Sequence, residues 1–161
     1  MNYLVGLTAD RGGRDALALG RMLARTGDVT LTVCIVLPEV WGHPSLARVD
    51  AEYAAFLEQY AEESIAEARA FLGDEVRAEY TARSARSATE GLVDVAKETD
   101  AALVVLGSAR HGPVGRFAAG GITTEMLHTS PIPVALAPGI DRKSTRLNSS
   151  HSGESRMPSS A

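Results

Sequence analysis

The residues best suited to hold an anion lie between Ala101 and Pro138, in AALVVLGSARHGPVGRFAAGGITTEMLHTSPIPVALAP. An apolar run, Ala101 to Leu106, stops at Gly107-Ser108. A loop follows in which Gly112, Gly115, Gly120 and Gly121 alternate with Arg110, His111 and Arg116. A helical pattern begins at about Gly120, and a second apolar run spans Ile132 to Ala137. A strand, a glycine-rich loop and a helix N-terminus together offer backbone N–H groups and a positive helix end, which suit phosphate. In this reading the backbones of Leu106, Gly107 and Ser108 and of Gly120, Gly121 and Ile122 surround the anion. Thr123 and Thr124 either donate hydroxyl hydrogen bonds to it or cap the helix. Gly107 either lets a ligand approach the backbone or makes a plain turn. Three basic residues within seven positions favour an anion over ordinary solvated surface charge.

Other chemistries lack their residues. There is no G-x-x-x-x-G-K-[ST] loop and no G-x-G-x-x-G fingerprint, and the glycine-rich loop does not follow the first strand. His43, His111, His128 and His151 have no metal-ligand spacing. Ser108 is not in a G-x-S-x-G elbow, and no pair of carboxylates reads as an acid/base couple. The expectation is a binding cleft in a protein that is not an enzyme.

The rest of the chain must position this loop. Tyr3 to Leu7 reads as a buried first strand, and Thr8 to Gly13 as a turn. Arg14 to Arg25 has apolar residues at helical spacing, stopped by Gly27. Val29 to Leu37 is the second strand. A long helix is expected from Asp50 to Leu72, with Tyr53, Phe56, Leu57, Tyr60, Ala61, Ile65, Ala68 and Leu72 as a core-facing stripe. Glu75 to Ala82 alternates and predicts an edge strand. Ser87 and Glu90 form a capping box for the next helix. Ala101 to Leu106, Gly120 to His128 and Ile132 to Ala137 complete the series. Alternating β and α units predict an α/β fold, an open, doubly wound parallel five-stranded sheet with helices on both faces. Right-handed crossovers give the strand order 3-2-1-4-5. The ligand crevice then lies outside the carboxyl ends of strands 1 and 4, so Thr8 to Gly13 and Gly107 to Gly121 should form its opposite walls.

The chain has 161 residues, 45% of them hydrophobic, which suits one domain. Residues 1–140 are expected to fold, and residues 141–161 to be a disordered, non-native tail resembling a translated cloning linker, so that the natural protein would continue differently after about Asp141. Leaving out Arg142, Lys143, Arg146, Arg156 and Glu154 takes 16 basic and 20 acidic residues to 12 and 19, and the net charge from −4 to −7. Such an acidic domain is not suited to general nucleic-acid binding. No apolar run is long enough to span a bilayer, and no signal-peptide pattern opens the chain. The single cysteine, Cys34, lies within the second strand and reads as a buried structural thiol. These features together predict a cytoplasmic location.

The run Asp100 to Ser108, the glycines at 107 and 120 and the closing Pro131-Ile132-Pro133-Val134 resemble the universal stress protein family over about residues 2–138. Its nucleotide-binding members carry G-x2-G-x9-G-[ST] after the fourth strand. Gly107 matches the first glycine and Gly120 the third, and Thr123 falls where a polar helix residue is usual. Arg110 stands at the second glycine, Gly121 at the Ser/Thr, and Thr8 where an Asp usually meets the base and ribose. The resemblance implies ATP or another adenine nucleotide in the cleft between strands 1 and 4, in a regulatory or stress-response role without strong catalysis. It also implies a homodimer formed through the last strand, or one half of a tandem pair. Arg110 could contact phosphate or fill its space. The alternative function is a dimerisation and interaction module that binds no nucleotide.

Overall fold

A computed structural model describes residues 1–8, 11–39, 47–108 and 121–139. The elements are β1 (Asn2–Leu7), α1 (Arg11–Ala24), β2 (Thr30–Pro38), α2 (Ala47–Leu72), β3 (Arg77–Ala85), α3 (Ala88–Glu98), β4 (Ala101–Gly107), α4 (Gly121–Thr129) and β5 (Val134–Ala137). The strands form one parallel sheet in the order β3-β2-β1-β4-β5, as the alternating pattern predicts.

Period-2 alternation in the strands splits the core in two. Val5, Leu7, Leu31, Val33, Ile35 and Val105 face α1 and α2 and pack on Ala16, Leu17, Leu57, Ala68 and Leu72. Leu4, Cys34, Val104 and Leu106 face the other way, onto Leu92, Val95 and Ala96 of α3 and Met126 of α4. The right-handed crossovers explain the split: β1 to β2 to β3 moves one way along the sheet, and β3 to β4 to β5 moves back. β3 is an edge strand, as its alternation predicts. It carries charged side chains, with Arg77 paired to Asp28 at 2.9 Å and Arg83 paired to Glu98, and charge on an edge strand discourages further strand pairing.

Several boundaries differ from the expected ones. α1 begins at Arg11, so Gly12 and Gly13 belong to its first turn and not to a loop. Packing is the cause: a Cβ on Gly13 would fall 1.8 Å from the Thr8 carbonyl oxygen, and one on Gly107 would fall 2.0 Å from the Gly12 carbonyl oxygen. α2 starts at Ala47. Its 26 residues make a helix of about 39 Å, longer than the nine-residue strand it covers. The stripe is therefore core only from Leu57 onward. Tyr53 and Phe56 are 46% and 60% exposed and stack on one another in place of the core, with ring centroids 6.5 Å apart. β3 runs to Ala85, three residues beyond expectation, because it pairs with β2 all the way to Pro38. β5 begins at Val134. Ser130 Oγ accepts from the Ile132 N–H and donates to the Ile132 carbonyl, holding that residue in a turn. Ser87 caps α3 as expected, its hydroxyl accepting from the Glu90 N–H at 3.1 Å. The expected tail, residues 141–161, lies outside the described residues. Among the described residues no helix is long and apolar enough to cross a membrane.

Cys34 is buried, and loss of water pushes its thiol up to about 11, with the Arg83 guanidinium pulling weakly the other way. An acid whose pKa is raised on folding stabilises the fold below its unfolded value of 9.0 and loses that contribution as pH rises toward 11. At pH 8 the folded thiol should react with a disulfide reagent at least about a hundredfold more slowly than the urea-unfolded thiol, because burial both raises its pKa and denies the reagent access. A stopped-flow thiol assay with and without urea checks this. The backbone contacts generate a second prediction. Gly107→Ala should cost about 2–3 kcal/mol in urea unfolding, whereas Gly27→Ala, whose nearest neighbour is 4.0 Å away, should be close to neutral.

Candidate functional site

The contact of Gly12 with Gly107 ties the end of β4 to the first turn of α1, just beyond β1. Of the two expected walls, Gly12 and Gly107 therefore meet directly. The open space lies beside them on the α3/α4 face, as a pocket of about 280 Å³. Gly6, Leu7 and Thr8 of β1 and its exit form the floor, with Gly12 at one end. Leu106, Gly107 and Ser108 supply the β4 side, and Gly121, Ile122 and Thr123 the start of α4. Cys34 and Val36 of β2 and Ala88 and Leu92 of α3 close the remaining side.

Seven of the nine expected site residues thus come together: Thr8, Leu106, Gly107, Ser108, Gly121, Ile122 and Thr123. Arg110 and Gly120 lie outside the described residues, as do His111 and Arg116. The pocket also uses four side chains that the sequence reading missed. Cys34 and Val36 alternate with Val33 and Ile35, so once α3 and α4 are assigned to one face, the even-numbered β2 residues must point at the cleft. Ala88 and Leu92 follow from the Ser87 cap and the helical spacing behind it.

The hydroxyls have defined local partners. Ser108 is 5% exposed; its N–H donates to the Ala137 carbonyl at 3.1 Å, and its Oγ accepts from the Gly139 N–H at 3.0 Å. Ser108 therefore anchors the chain leaving β5. Thr123 is 4% exposed, and its hydroxyl donates to the Gly107 carbonyl across 3.5 Å, a long contact. It ties the first turn of α4 to the end of β4. The first four N–H groups of a helix have no acceptor within the helix, and they carry its positive end. In the described part of α4 those groups include Gly121, Ile122 and Thr123, all three of which line the pocket.

None of the described lining residues is charged. Cys34, Val36, Leu92, Leu106 and Ile122 give the pocket apolar side chains, and the glycines at the end of β4 and the start of α4 give it polar backbone. This division suits a flat apolar group joined to an anion. Among the described residues no three His, Cys, Asp or Glu side chains gather to hold a metal. A larger hollow of about 370 Å³ lies between α1 and α2, with Leu17, Ala68 and Phe71 in its wall. The exposed Arg14–Glu67 ion pair, 3.8 Å apart, lies at its rim. Gly107, Ser108 and α4 do not reach it, so the polar groups suited to a ligand converge on the smaller pocket.

Comparison with known proteins agrees with this architecture. The sequence model described as the universal stress protein family matches residues 1–138. A universal stress protein of Mycobacterium tuberculosis is 39% identical over 162 aligned positions, which cover 96% of this chain and 56% of that protein. The chain thus spans little more than half the length of this relative. Among solved structures, the universal stress protein UspA of Lactobacillus plantarum superposes with a TM-score of 0.72 at 20% identity, covering 85% of this chain and 97% of its own. The universal stress protein of Archaeoglobus fulgidus in complex with dAMP superposes with a TM-score of 0.60 at 19% identity, covering 84% and 96%. With a family match over residues 1–138 and a parallel sheet of this order, the chain belongs to the universal stress protein family.

Proposed function

We propose that the pocket between the ends of β1 and β4 binds an adenine nucleotide, ATP or a relative of it, and that the protein acts as a regulatory or stress-response module without strong catalysis. The observation that carries this reading is the joining of an apolar slot to a helix N-terminus within one pocket of about 280 Å³. That volume lies just below the range of about 300–1,000 Å³ usual for small-molecule sites. It suits a nucleoside better than a dinucleotide. The base enters between Val36, Leu92 and Ile122, the ribose lies near Thr8, and the phosphates meet the N–H groups of Gly107 and of Gly121 to Thr123. Arg110 and Gly120, which the sequence also assigns to the phosphates, lie outside the described residues. The related Archaeoglobus protein was solved in complex with dAMP, which supports an adenine ligand. The location that fits this role is the cytoplasm.

A second reading is an interaction module without nucleotide. It is favoured by the engagement of Ser108 and Thr123 inside the protein, which leaves the phosphate end mostly to backbone groups. Under either reading we propose pairing through β5, as a homodimer or with a further domain of a longer chain. β5 is a four-residue edge strand whose Leu136 is 37% exposed, and Leu127 of α4 is 52% exposed.

Gly121 separates the two readings. A Cβ there would meet nothing within 4 Å, and an acidic side chain in the first helical turn favours the helix. Gly121→Asp should therefore keep the fold and repel phosphate. In calorimetry it should weaken ATP binding at least about tenfold, the equivalent of about 1.4 kcal/mol, with an unchanged melting temperature. Equal ATP affinity in wild type and variant would contradict the assignment. Wild type that gives no heat with millimolar ATP would favour the interaction module. For the pairing surface, Leu136→Lys should convert a dimer to monomer in sedimentation velocity, and wild type that sediments as a monomer at tens of micromolar would refute the homodimer.

A further inference from the structure

The start of α4 supplies the phosphate end of the pocket in the proposed reading, yet α4 buries few of its side chains. Of its nine residues only Thr123 and Met126 are buried. Thr123 reaches the Gly107 carbonyl only at 3.5 Å. A shorter tie lies on the other side. The Thr89 hydroxyl, on a side chain 4% exposed, donates to Glu125 Oε2 at 2.9 Å. Thr89 belongs to the first turn of α3, between the pocket residues Ala88 and Leu92. Glu125 follows the pocket residues Gly121 to Thr123 by less than one turn. This bond therefore joins the two helices that wall the cleft, directly behind the wall. The carboxylate also sits beside the N-terminal turn of α3, where negative charge is favoured.

We infer that Thr89 and Glu125 are positioning residues of the site: their hydrogen bond fixes α4 against α3 so that the N–H groups of Gly121 to Thr123 face the pocket. Neither residue lines the pocket itself. A hydrogen bond to a charged acceptor is roughly twice as strong as one between neutral groups, and here it acts on a helix that buries only Thr123 and Met126. The effect on nucleotide affinity rests on the reading given under Proposed function. The effect on α4 does not.

The test uses the full chain as wild type, Thr89→Val, Thr89→Ser and Glu125→Gln. Thr89→Val removes the hydroxyl at nearly constant volume, and Thr89→Ser restores it. The first readout is amide hydrogen exchange in the helix-bonded part of α4, Glu125 to Ser130, where the Ser130 N–H donates to the Met126 carbonyl at 2.9 Å. The β1 and β2 amides serve as the control. The expected result is about tenfold faster exchange in α4 for Thr89→Val, from the loss of one charge-assisted hydrogen bond. Glu125→Gln should show a smaller increase, β1 and β2 should be unchanged, and Thr89→Ser should return to wild type. Unchanged α4 exchange in Thr89→Val overturns the inference. So does an equal rise in all elements, which would mark a general loss of stability. The second readout is the ATP dissociation constant, expected to rise about tenfold in Thr89→Val and to recover in Thr89→Ser. Faster α4 exchange in a protein whose wild type binds no ATP upholds the positioning role and rejects the nucleotide reading. Faster exchange with an unchanged ATP dissociation constant overturns the link to the site.

Discussion

The structure depends on a place where backbone meets backbone with no room for a side chain. Thr8, Gly12, Gly13 and Gly107 pack so closely that a Cβ on Gly13 or Gly107 would fall 2.0 Å or less from a carbonyl oxygen. This contact brings the first turn of α1 against the end of β4. It forces β1 and β4 to finish together, at the point where the chain's crossovers change direction. The cleft follows from that meeting. Because Gly12 of α1 closes on Gly107, the space bordered by Gly107, Ser108 and the start of α4 falls on the α3/α4 face. There the strand ends, the even-numbered residues of β2 and the start of α4 surround one pocket.

Within the pocket the work is divided between side chains and backbone. Side chains make the apolar slot, with Leu92 and Leu106 continuous with the hydrophobic cluster that holds α3 and α4 to the sheet. Backbone groups make the polar end. Ser108 and Thr123, whose hydroxyls look available in the sequence, tie the framework together, one to the segment after β5 and the other to β4. In the proposed reading, packing fixes the shape of the site and a helix end supplies its preference for an anion. Among its described lining residues few groups could act as acid, base or nucleophile. The buried Cys34 thiol, held in its neutral form, adds apolar surface and no nucleophile.

The fold was legible because its signals are local and repeated. Val33, Cys34 and Ile35 alternate between two cores, the helices between strands carry apolar faces, and Gly27, Gly73 and Ser87 mark helix ends. From these the strand order and the location of the cleft follow by handedness alone. What escaped the sequence depends on three-dimensional packing. Gly12-Gly13 reads as a turn, because nothing local reveals that Thr8 and Gly107 will press on it. Phe56 reads as core, because helical spacing does not reveal that α2 outruns β2. Val36 and Leu92 carry no local sign of the pocket, since periodicity gives the face of an element but not where that face opens into a cleft. The glycine-rich loop pointed to the carboxyl end of β4, beside which the pocket lies. Seven of its expected site residues share one pocket, while Arg110 and Gly120 lie outside the described residues.

The most direct test of the proposed site is a titration of isotope-labelled protein with ATP, followed residue by residue through backbone amide chemical shifts. The account predicts saturable shifts at Gly107 and Gly121 to Thr123 from the phosphates and at Cys34 and Val36 from the base. Residues on the α1/α2 face, such as Leu17 and Ala68, should stay still. Shifts confined to the α1/α2 hollow, or no saturable shifts at millimolar ATP, would contradict it.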